Sequence, residues 1–577
     1  MAADSMTNGE IADLIDTLGD LYELDGAVVY RVLAYRKAAS RFRETSDSVW
    51  RLSAQGRLTE LADVGDTIAE KVGQLRETGT MEALEKLRAR IPESLVEIMR
   101  IPGLGAKTAR KLWQELEITT IGQLEAAARD GRLAELPGFG EKKQATILEQ
   151  LAAGTQPRKG RIRLDQALEL VDQVLGPLRA HPACQAADEA GSLRRRVETV
   201  GDIDLIAASP APRELTDWFV ALPFVSSVIG HGDTKGSILT HNGVQMDLRV
   251  VPHESYGNLL QHFTGSKAHN VAMREDASAR KLKVSEWGIE DEETGEVFRT
   301  PDEDAVYRHL GYEPIPPELR EHLGELAQAR EGRLPQLVTT AELRGDLHTH
   351  TDWSDGKHTL AELVAAARAH GHDYLAVTDH SAGVGMGIGL EADDLRRQIE
   401  QIRELDATLD DLHVLAGCEV DIMGDGRLYL PDDVLAELDW VVASLHVAQR
   451  QGSARITSRL VAAAEHPAVD VIGHPSGRLL GKREGYEFDV EAVVAACAEH
   501  GTMLEINAQP HRLDLRPQHA RVAIAAGVPL VISTDAHRLG SLGFQHFGVA
   551  MARRAGATSG EIANTRGLAE LRALARR

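Results

Sequence analysis

The sequence predicts a multidomain chain: a helical N-terminal region, an α/β middle followed by a small α+β subdomain, and a C-terminal barrel of βα repeats. Three observations predict it. Residues 1–155 carry helical apolar spacing with no strong strand signal, and one Gly-containing hairpin pattern recurs within them. From about 162 the pattern becomes α/β, with a helix (LDQALELVDQVL) followed by VGDIDLIAAS and SILTHNGVQMDLRVV. Between Leu343 and His537, seven short apolar runs alternate with helices such as TLAELVAAARAHG (359–371) and DVEAVVAACAEHG (489–501). Runs of that kind suit parallel strands covered on both faces, and seven is one fewer than an eightfold barrel.

At 577 residues the chain exceeds one core, so about three or four domains are expected. A formal net charge of −24 argues against bulk electrostatic adhesion to nucleic acid or anionic membrane, while leaving room for local basic patches. Cys184, Cys418 and Cys497 are widely spaced and form no CxxC pair, which fits a reducing compartment. The N-terminal MAADSMTNGE lacks a basic-then-apolar signal pattern, and no stretch approaches a membrane span of roughly 20 apolar residues. The expectation is a soluble, cytoplasmic protein with no membrane partner; without an obvious interaction tail, a monomer is the default.

In the helical region the recurring pattern is apolar–x–Gly–apolar–Gly followed by an amphipathic helix. Its copies are IPGLGAKTARKLW (101–113), LPGFGEKKQATIL (136–148) and the weaker LADVGDTIAEKV (61–72), where Asp63 replaces the first Gly. This is the helix–hairpin–helix pattern. Gly103, Gly105, Gly138 and Gly140 let backbone N–H groups approach a phosphate at a helix N-terminus, with Lys107, Lys111, Lys142 and Lys143 nearby to neutralise its charge. One copy alone would read as an ordinary helical hairpin; three point to sequence-independent DNA binding. A basic QPRKGR (156–161) linker follows.

In the middle, GDIDLI (201–206) sets Asp202 and Asp204 two residues apart on a strand and so on one face. MDLRV (246–250) supplies Asp247 on another strand. Three carboxylates on adjacent strands suit Mg²⁺ (or Mn²⁺) and the in-line chemistry of phosphoryl transfer. Upstream, GSLRRR (191–196) offers Gly191 for close backbone approach, Ser192 as a donor, and Arg194 and Arg195 for polyphosphate charge.

Gly-Ser followed ten residues later by Asp-x-Asp resembles the nucleotidyltransferase superfamily. YGNLLQHFTGSKAHNVAMR (256–274) and AYRKAA (34–39) narrow the resemblance to DNA polymerase family X, over about residues 1–320. The resemblance implies an α/β nucleotidyltransferase palm with a small α+β nucleotide-selecting subdomain. It implies that Asp202 and Asp204 bind both metals, and that Asp247 binds the catalytic metal and helps activate the primer 3′-OH. Ser192 and Arg195, with Gly201 nearby, would hold the triphosphate; Phe263 and Gly265 would shape the sugar pocket; Asn270 and Arg274 would lie near the base pair and template. His262 stands where the family commonly has Tyr, and Lys267 and Ala268 follow the Gly-Ser where animal members carry an acidic residue, which leaves sugar discrimination open. Lys71 falls on the family's Schiff-base lyase position, with Tyr35 and Arg31 on neighbouring ones and Thr67 replacing a supporting lysine. A plain phosphate contact is the other reading of Lys71.

The C-terminal runs read RGDLHTH, DYLAVTDH, LHVLAGCEVD, WVVASLHV, VDVIGHP, TMLEINAQ and PLVISTDAH. Six of the seven end in metal-ligand residue types, which would converge on one mouth of a barrel. The ligand set is His348, His350, Asp355, His380, Glu419, His446, His474, Asp535 and His537, with Glu419 the best candidate for a bridge. Mixed imidazole and carboxylate ligands suit two or three Mn²⁺, Zn²⁺ or Fe²⁺ ions. His358, Glu505 and Asn507 are expected near the ligands. Arg478 and Arg483 are read either as phosphate contacts or as part of a solvated loop. HTHTDWSDG, VTDHS, GCEVD, SLH, GHP and STDAH together resemble the PHP (polymerase and histidinol phosphatase) domain, a distorted (β/α)7 barrel whose metals activate water against phosphoesters.

The resemblance as a whole is to the bacterial and archaeal family X DNA polymerases. It implies a repair enzyme that fills short gaps in gapped or nicked DNA from dNTPs and carries a second, 3′–5′ exonuclease site, with possible action on abasic ends. The expected domains are 1–90 (helical DNA-binding and lyase-like), 91–158 (helix–hairpin–helix, fingers-like), 159–252 (palm), 253–320 (nucleotide-selecting), 321–343 (linker) and 344–577 (PHP). Two alternatives stay open: a DNA-binding repair scaffold with a silent polymerase site, and a PHP domain acting on a small phosphate ester.

Overall fold

Apolar residues three and four apart give the first part of the chain its helices. In the computed structural model, these include Asn8–Asp25, Val29–Glu44, Asp66–Thr78, Ala106–Leu116 and Ile121–Arg129. The structure describes all residues except 1–5, 7, 46–47, 62, 100, 102–103, 135, 137–138, 141–143, 145–146, 149–150, 152–160, 385–388, 484 and 576–577. The helices share one core that includes Ile11, Leu18, Phe42, Val72, Leu104, Leu112 and Phe139. Two of these, Leu104 and Phe139, are the residues between the glycines of the hairpin pattern. No helix among the described residues is long and apolar enough to cross a membrane.

By contacts the chain forms two compact units. One comprises Met1–Ile162, Glu169–Asp188 and Gly201–Pro252; the other comprises Arg163–Leu168, Glu189–Val200 and His253–Arg577. The first unit carries a five-stranded sheet of β1 (Ala186–Glu189), β2 (Asp202–Ala208), β3 (Val225–His231), β4 (Lys235–Thr240) and β5 (Gln245–Val251), in the order β1-β2-β5-β4-β3. Strand β5 alternates over 245–250: Met246, Leu248 and Val250 are buried, while Gln245, Asp247 and Arg249 face the other side. Strands β2 and β5 are parallel, and Asp204 is the register partner of Asp247. Paired residues share a face, so Asp202, Asp204 and Asp247 do too.

In the second unit, the helices Tyr256–Thr264, Lys267–Ser278 and Glu303–His309 pack with an antiparallel sheet of β6 (Leu282–Ser285), β7 (Gly288–Asp291) and β8 (Val297–Phe298). Met273, Ala277, Ile289, Val306 and Tyr307 form its core. Within 321–343, helix Glu325–Arg330 does not hang free: Ala329 joins this core, and Leu326 and Leu334 pack against it.

The barrel strands are β9 (Gly345–Thr349), β10 (Tyr374–Val377), β11 (His413–Asp421), β12 (Trp440–Ser444), β13 (Val471–Ile472), β14 (Met503–Asn507) and β15 (Leu530–Ser533). They pair in chain order, every pair parallel. The first and last nearly close the barrel through a parallel bridge of Thr349 with Ala536, where His350 N donates to Ala536 O at 2.9 Å. Nearly every barrel-strand residue is buried, as continuous apolar runs require. The crossing helices are punctuated locally. Thr359 and Glu362 form a capping box ahead of Leu360–Ala369, and Asp489 caps Val490–His500, which ends on Gly501 at φ 70°.

Candidate functional sites

At the C-terminal ends of the barrel strands, the nine ligand-type residues named from the sequence come together. His348 lies on β9 and His350 just beyond it, on one face by strand period. Glu419 lies on β11. His446, His474 and Asp535 each stand two residues past the ends of β12, β13 and β15. Three groups have ligand atoms all within 4.8 Å of one another: His350, Asp355, His380 and His537; His348, His350 and Asp535; and His380, Glu419 and His446. His474 joins them, its Nε2 2.9 Å from Glu419 Oε1. Glu419 is central: Oε2 lies 2.8 Å from His380 Nδ1 and 3.3 Å from His348 Nε2, and Oε1 lies 3.3 Å from His446 Nε2.

The local backbone is built for this convergence. His474 (φ 27°) and Asp535 (φ 50°) adopt the left-handed region that L side chains avoid, which turns each ligand inward at its strand end. A Cβ at Gly473 would strike Ser444 Oγ and Val442 Cγ1, so the Gly of the GHP run is needed for close approach to β12.

Among the described residues, several buried atoms of the set make no well-directed hydrogen bond although they crowd one another: His348 Nε2, both His350 ring nitrogens, Asp355 Oδ1, His380 Nδ1 and Glu419 Oε2. Buried polar atoms are ordinarily paired. A cluster of unpaired imidazole nitrogens and carboxylate oxygens fits divalent cations, and it suits borderline N/O metals more than Ca²⁺. Protonation differs across the set: burial opposes the charge, but neighbouring carboxylates raise His348 well above its usual range, His446 to about 10 and His537 to about 9. Burial, then His537 and His380, push the His350 imidazole down to about 3, leaving it in the neutral form that ligates metal. Burial opposes the charge on Glu419, but His446, His348 and His380 outweigh it and hold the carboxyl well below its usual range.

A second layer of residues fixes the ligands. Glu505 Oε1 accepts from His348 Nδ1 at 2.7 Å, and its Oε2 accepts from His474 N at 2.6 Å. Asn507 Nδ2 donates to Asp535 Oδ2 at 3.0 Å. Asp421 Oδ1 accepts from His446 Nδ1 at 3.1 Å, and its Oδ2 accepts from Ser381 Oγ at 2.7 Å. Asp346 ties β9 to β15 by accepting from Thr534 Oγ1 at 2.6 Å. Asp421 and Asp346 were missed in the sequence, although each stands two residues from a ligand on one strand and so shares its face. His358 faces elsewhere, 3.8 Å from Glu362 and a third exposed. Arg478 is neither a solvated nor a phosphate-facing residue: it is buried, with Nε donating to Arg512 O at 2.8 Å.

In the first unit, Asp202 is exposed at the start of β2, while Asp204 and Asp247 are half-buried. Burial, then the negative charges of Asp202 and Asp247, push the Asp204 carboxyl up to about 6, the mark of crowded carboxylates that a divalent cation would relieve. Lys235 Nζ lies 3.6 Å from Asp247 Oδ2. Among the described residues, the three aspartates do not form a group as tight as those in the barrel. Gly201 directly precedes β2.

In the second unit, Gly191 takes φ 61° at the start of a short helical turn, Gly191–Arg194, that carries Ser192. The two arginines are engaged within the protein. Arg194 forms a two-pronged pair with Glu303 at 2.8 Å on each side and donates to Thr264 Oγ1 at 2.7 Å. Arg195 donates to Thr264 O at 2.6 Å and to Glu321 Oε1 at 3.1 Å. Gly265 has φ 69°, where an L side chain would be strained, and a Cβ there would sit 3.2 Å from Arg195 Nη1. Phe263 is half-buried beside His262, with ring centroids 5.3 Å apart. Asn270 is buried: it donates to His262 O at 2.7 Å and accepts from Gln261 Nε2 at 2.9 Å. Arg274 is exposed.

In the helical region, Lys71 is half-buried on helix Asp66–Thr78. Tyr35 is buried and stacks on Tyr22 at 5.3 Å, and Arg31 lies over the Tyr22 ring at 4.2 Å. Gly65 and Gly105 each precede a helix with no side-chain cap, and open space surrounds them. Gly140 is likewise exposed, with nothing among the described residues near a Cβ, and Lys107 is exposed. Gly103, Gly138, Lys142 and Lys143 lie outside the described residues.

Family models match four parts of the chain: a helix-hairpin-helix domain (6–81), a SAM-like helix-hairpin-helix tandem (75–153), the DNA polymerase beta thumb (259–321) and the PHP domain (346–509). They define the class: a polymerase-beta-type assembly of helical hairpins and thumb joined to a PHP barrel. The chain is 37% identical to the DNA polymerase/3′-5′ exonuclease PolX of Bacillus subtilis (strain 168), over 99% of this chain and 100% of that protein. Its barrel region is 29% identical to a protein named "probable phosphatase" of Thermoanaerobacter sp. (strain X514), over 38% of this chain and 89% of that one. It is also 31% identical to a "probable phosphatase" of Shewanella sp. (strain MR-4), over 34% and 78%. The chain belongs to the PolX family, the family X DNA polymerases with a C-terminal PHP domain.

Proposed function

We propose that this chain is a DNA polymerase that fills short gaps during repair and carries a separate 3′–5′ exonuclease site in its PHP barrel. One observation carries the reading. Nine ligand-type residues gather at the mouth of the barrel in a chain that aligns end to end with a DNA polymerase/3′-5′ exonuclease. DNA and dNTPs are its substrates. The domains are proposed as 1–90, 91–158, 159–252, 253–320, 321–343 and 344–577, the protein as monomeric and its location as cytoplasmic.

At the polymerase site, Asp202, Asp204 and Asp247 would hold Mg²⁺ or Mn²⁺, and Asp247 helps activate the primer 3′-OH. Gly191, Ser192 and Arg195, with Gly201, hold the triphosphate. Phe263 and Gly265 shape the sugar pocket, and Asn270 and Arg274 lie on the base-pair and template side. Gly103, Gly105, Lys107, Gly138, Gly140 and Lys142 grip the backbone without reading bases. Lys71 is proposed as the nucleophile toward an abasic sugar; borohydride trapping that survives Lys71→Ala would rule it out.

At the barrel site, His348, His350, Asp355, His380, Glu419, His446, His474, Asp535 and His537 would hold two or three Mn²⁺, Zn²⁺ or Fe²⁺ ions. Divalent cations, when bound, neutralise phosphodiester charge and acidify water. The chain's own part is to present His350 as a neutral imidazole, to span between ligand groups with Glu419, and to hold His348 and His446 in one orientation through Glu505 and Asp421.

The test uses gapped DNA with Mg²⁺ or Mn²⁺, scoring extension and degradation separately. Asp247→Ala should abolish extension and spare degradation, and His348→Ala should do the reverse. Full extension by Asp247→Ala would refute the polymerase assignment. Identity of the barrel region to proteins named probable phosphatases supports a second reading, hydrolysis of a small phosphate ester. A higher His348-dependent rate on phosphomonoesters than on DNA would favour it.

A further inference from the structure

On the barrel rim, the loops that follow β12 and β13 enclose a cavity of about 490 Å³. These loops also carry His446 and His474, although none of the nine ligand-type residues is among the described walls of the cavity. Arg450, Gln451, Ser453, Arg483 and Tyr486 are among its walls.

The walls are preorganised and cationic. Arg483 is fixed by donating to Gly477 O at 2.8 Å and Gln449 Oε1 at 2.9 Å. Its guanidinium lies 5.6 Å from the Tyr486 ring centroid. Tyr486 is pinned in turn, its hydroxyl donating to Leu445 O, one residue before His446, at 3.2 Å. Gly477, at φ 56°, leaves the space that this ring fills. Gln451 is held from behind by the fully buried Arg459, which donates to its Oε1 at 3.1 Å. Helix Ser453–Glu465 begins at the cavity without a side-chain cap, so its first N–H groups add positive potential there. Arg450 is exposed and makes no hydrogen bond or ion pair among the described residues. Among the described residues of the lining, Glu487 is the one acid, and it is exposed. The volume lies within the roughly 300–1,000 Å³ of small-molecule sites and is larger than a lone phosphate needs.

We propose that this cavity is a nucleotide subsite, with the phosphate against Arg450, Arg483 and the helix N-terminus and the remainder of the nucleotide against Tyr486. It rests on the exonuclease reading of the barrel and names what that site holds beside the scissile bond. The occupant is the neighbouring nucleotide of the strand; a released deoxynucleoside monophosphate has the same chemistry.

Two measurements on the full-length protein test it. In the first, kcat/KM is measured for a single-stranded oligonucleotide and for bis(p-nitrophenyl) phosphate, which has no neighbouring nucleotide. Arg450→Ala should lower the ratio of the two about tenfold, through KM for the oligonucleotide, in line with loss of one charge-assisted hydrogen bond. Arg450→Lys should restore part of it. In the second, Kd is measured for pdTpdT, dTMP and inorganic phosphate, which needs no turnover and so reads the subsite even if the barrel degrades no DNA. Both nucleotides should bind more tightly than phosphate, and each should weaken about tenfold in Arg450→Ala. Tighter binding of pdTpdT assigns the strand; equal binding assigns the released nucleotide. Unchanged nucleotide binding in Arg450→Ala, or phosphate bound as tightly as nucleotide, would overturn the proposal.

Discussion

His348 and Glu505 stand 157 residues apart in sequence and meet at 2.7 Å, both buried, with the imidazole Nδ1 donating to the carboxylate. That bond fixes the tautomer, leaves Nε2 facing the ligand cluster and raises its basicity. The other oxygen of Glu505 anchors the backbone of His474, so one side chain positions ligands from β9 and from the loop after β13.

Glu505→Gln should therefore weaken metal binding about 10–100-fold. Metal content after dialysis against a weak chelator reads this directly. Degradation should fall with it, while primer extension is largely retained; an unchanged metal content would show that Glu505 has no such role.

Helix–hairpin–helix contacts to phosphate are sequence-blind. Lys107→Ala should weaken binding of gapped duplex equally across sequences and lower the slope of log K against log salt by about 1. Fluorescence anisotropy at several salt concentrations measures both.

Glu303 is held between Arg320, at 2.6 Å, and Arg194, at 2.8 Å. Burial opposes its charge, but the Arg320 and Arg194 guanidiniums outweigh it and lower the carboxyl from 4.5 to about 2. The folded pKa lies below the unfolded one, so the stabilisation is fully present above about 4.5 and is lost as pH falls toward 2. It amounts to about 3 kcal/mol. Glu303→Gln leaves two guanidiniums unpaired and should cost about 3–5 kcal/mol at pH 7. Thermal melts at pH 7 and pH 3.5 check both: the variant's deficit should shrink at the lower pH.

Arg554, on helix Gln545–Ala555, donates to Arg195 O at 2.7 Å and to Glu321 Oε1 at 3.1 Å. If Arg195 holds the triphosphate, Arg554→Met should raise KM for dNTPs several-fold with a smaller change in kcat. Steady-state gap filling reads that split; equal KM values would confine Arg554 to a structural role.

The sequence by itself determined the elements and the residue types at their ends. Strand period and helix spacing are local, so seven apolar runs, six of them ending in His, Asp or Glu, already point to a barrel with a ligand-rich mouth, and Asp202 and Asp204 already share a face, which the strand register extends to Asp247. The glycine pattern is local too, because Gly65, Gly105 and Gly140 answer only to their own turns.

Only the tertiary structure decided which groups meet. Glu505 sat in the one ambiguous run, and it orients His348 because β14 is folded against its neighbours. Arg194 and Arg195, read from a short motif as polyphosphate contacts, find Glu303 and Glu321 more than a hundred residues away. Helix Glu325–Arg330 looked like part of a polar connector, yet Glu325 meets the buried His269 at 2.6 Å. Pairings of this kind depend on chain closure across long separations, and no local period in the sequence encodes them.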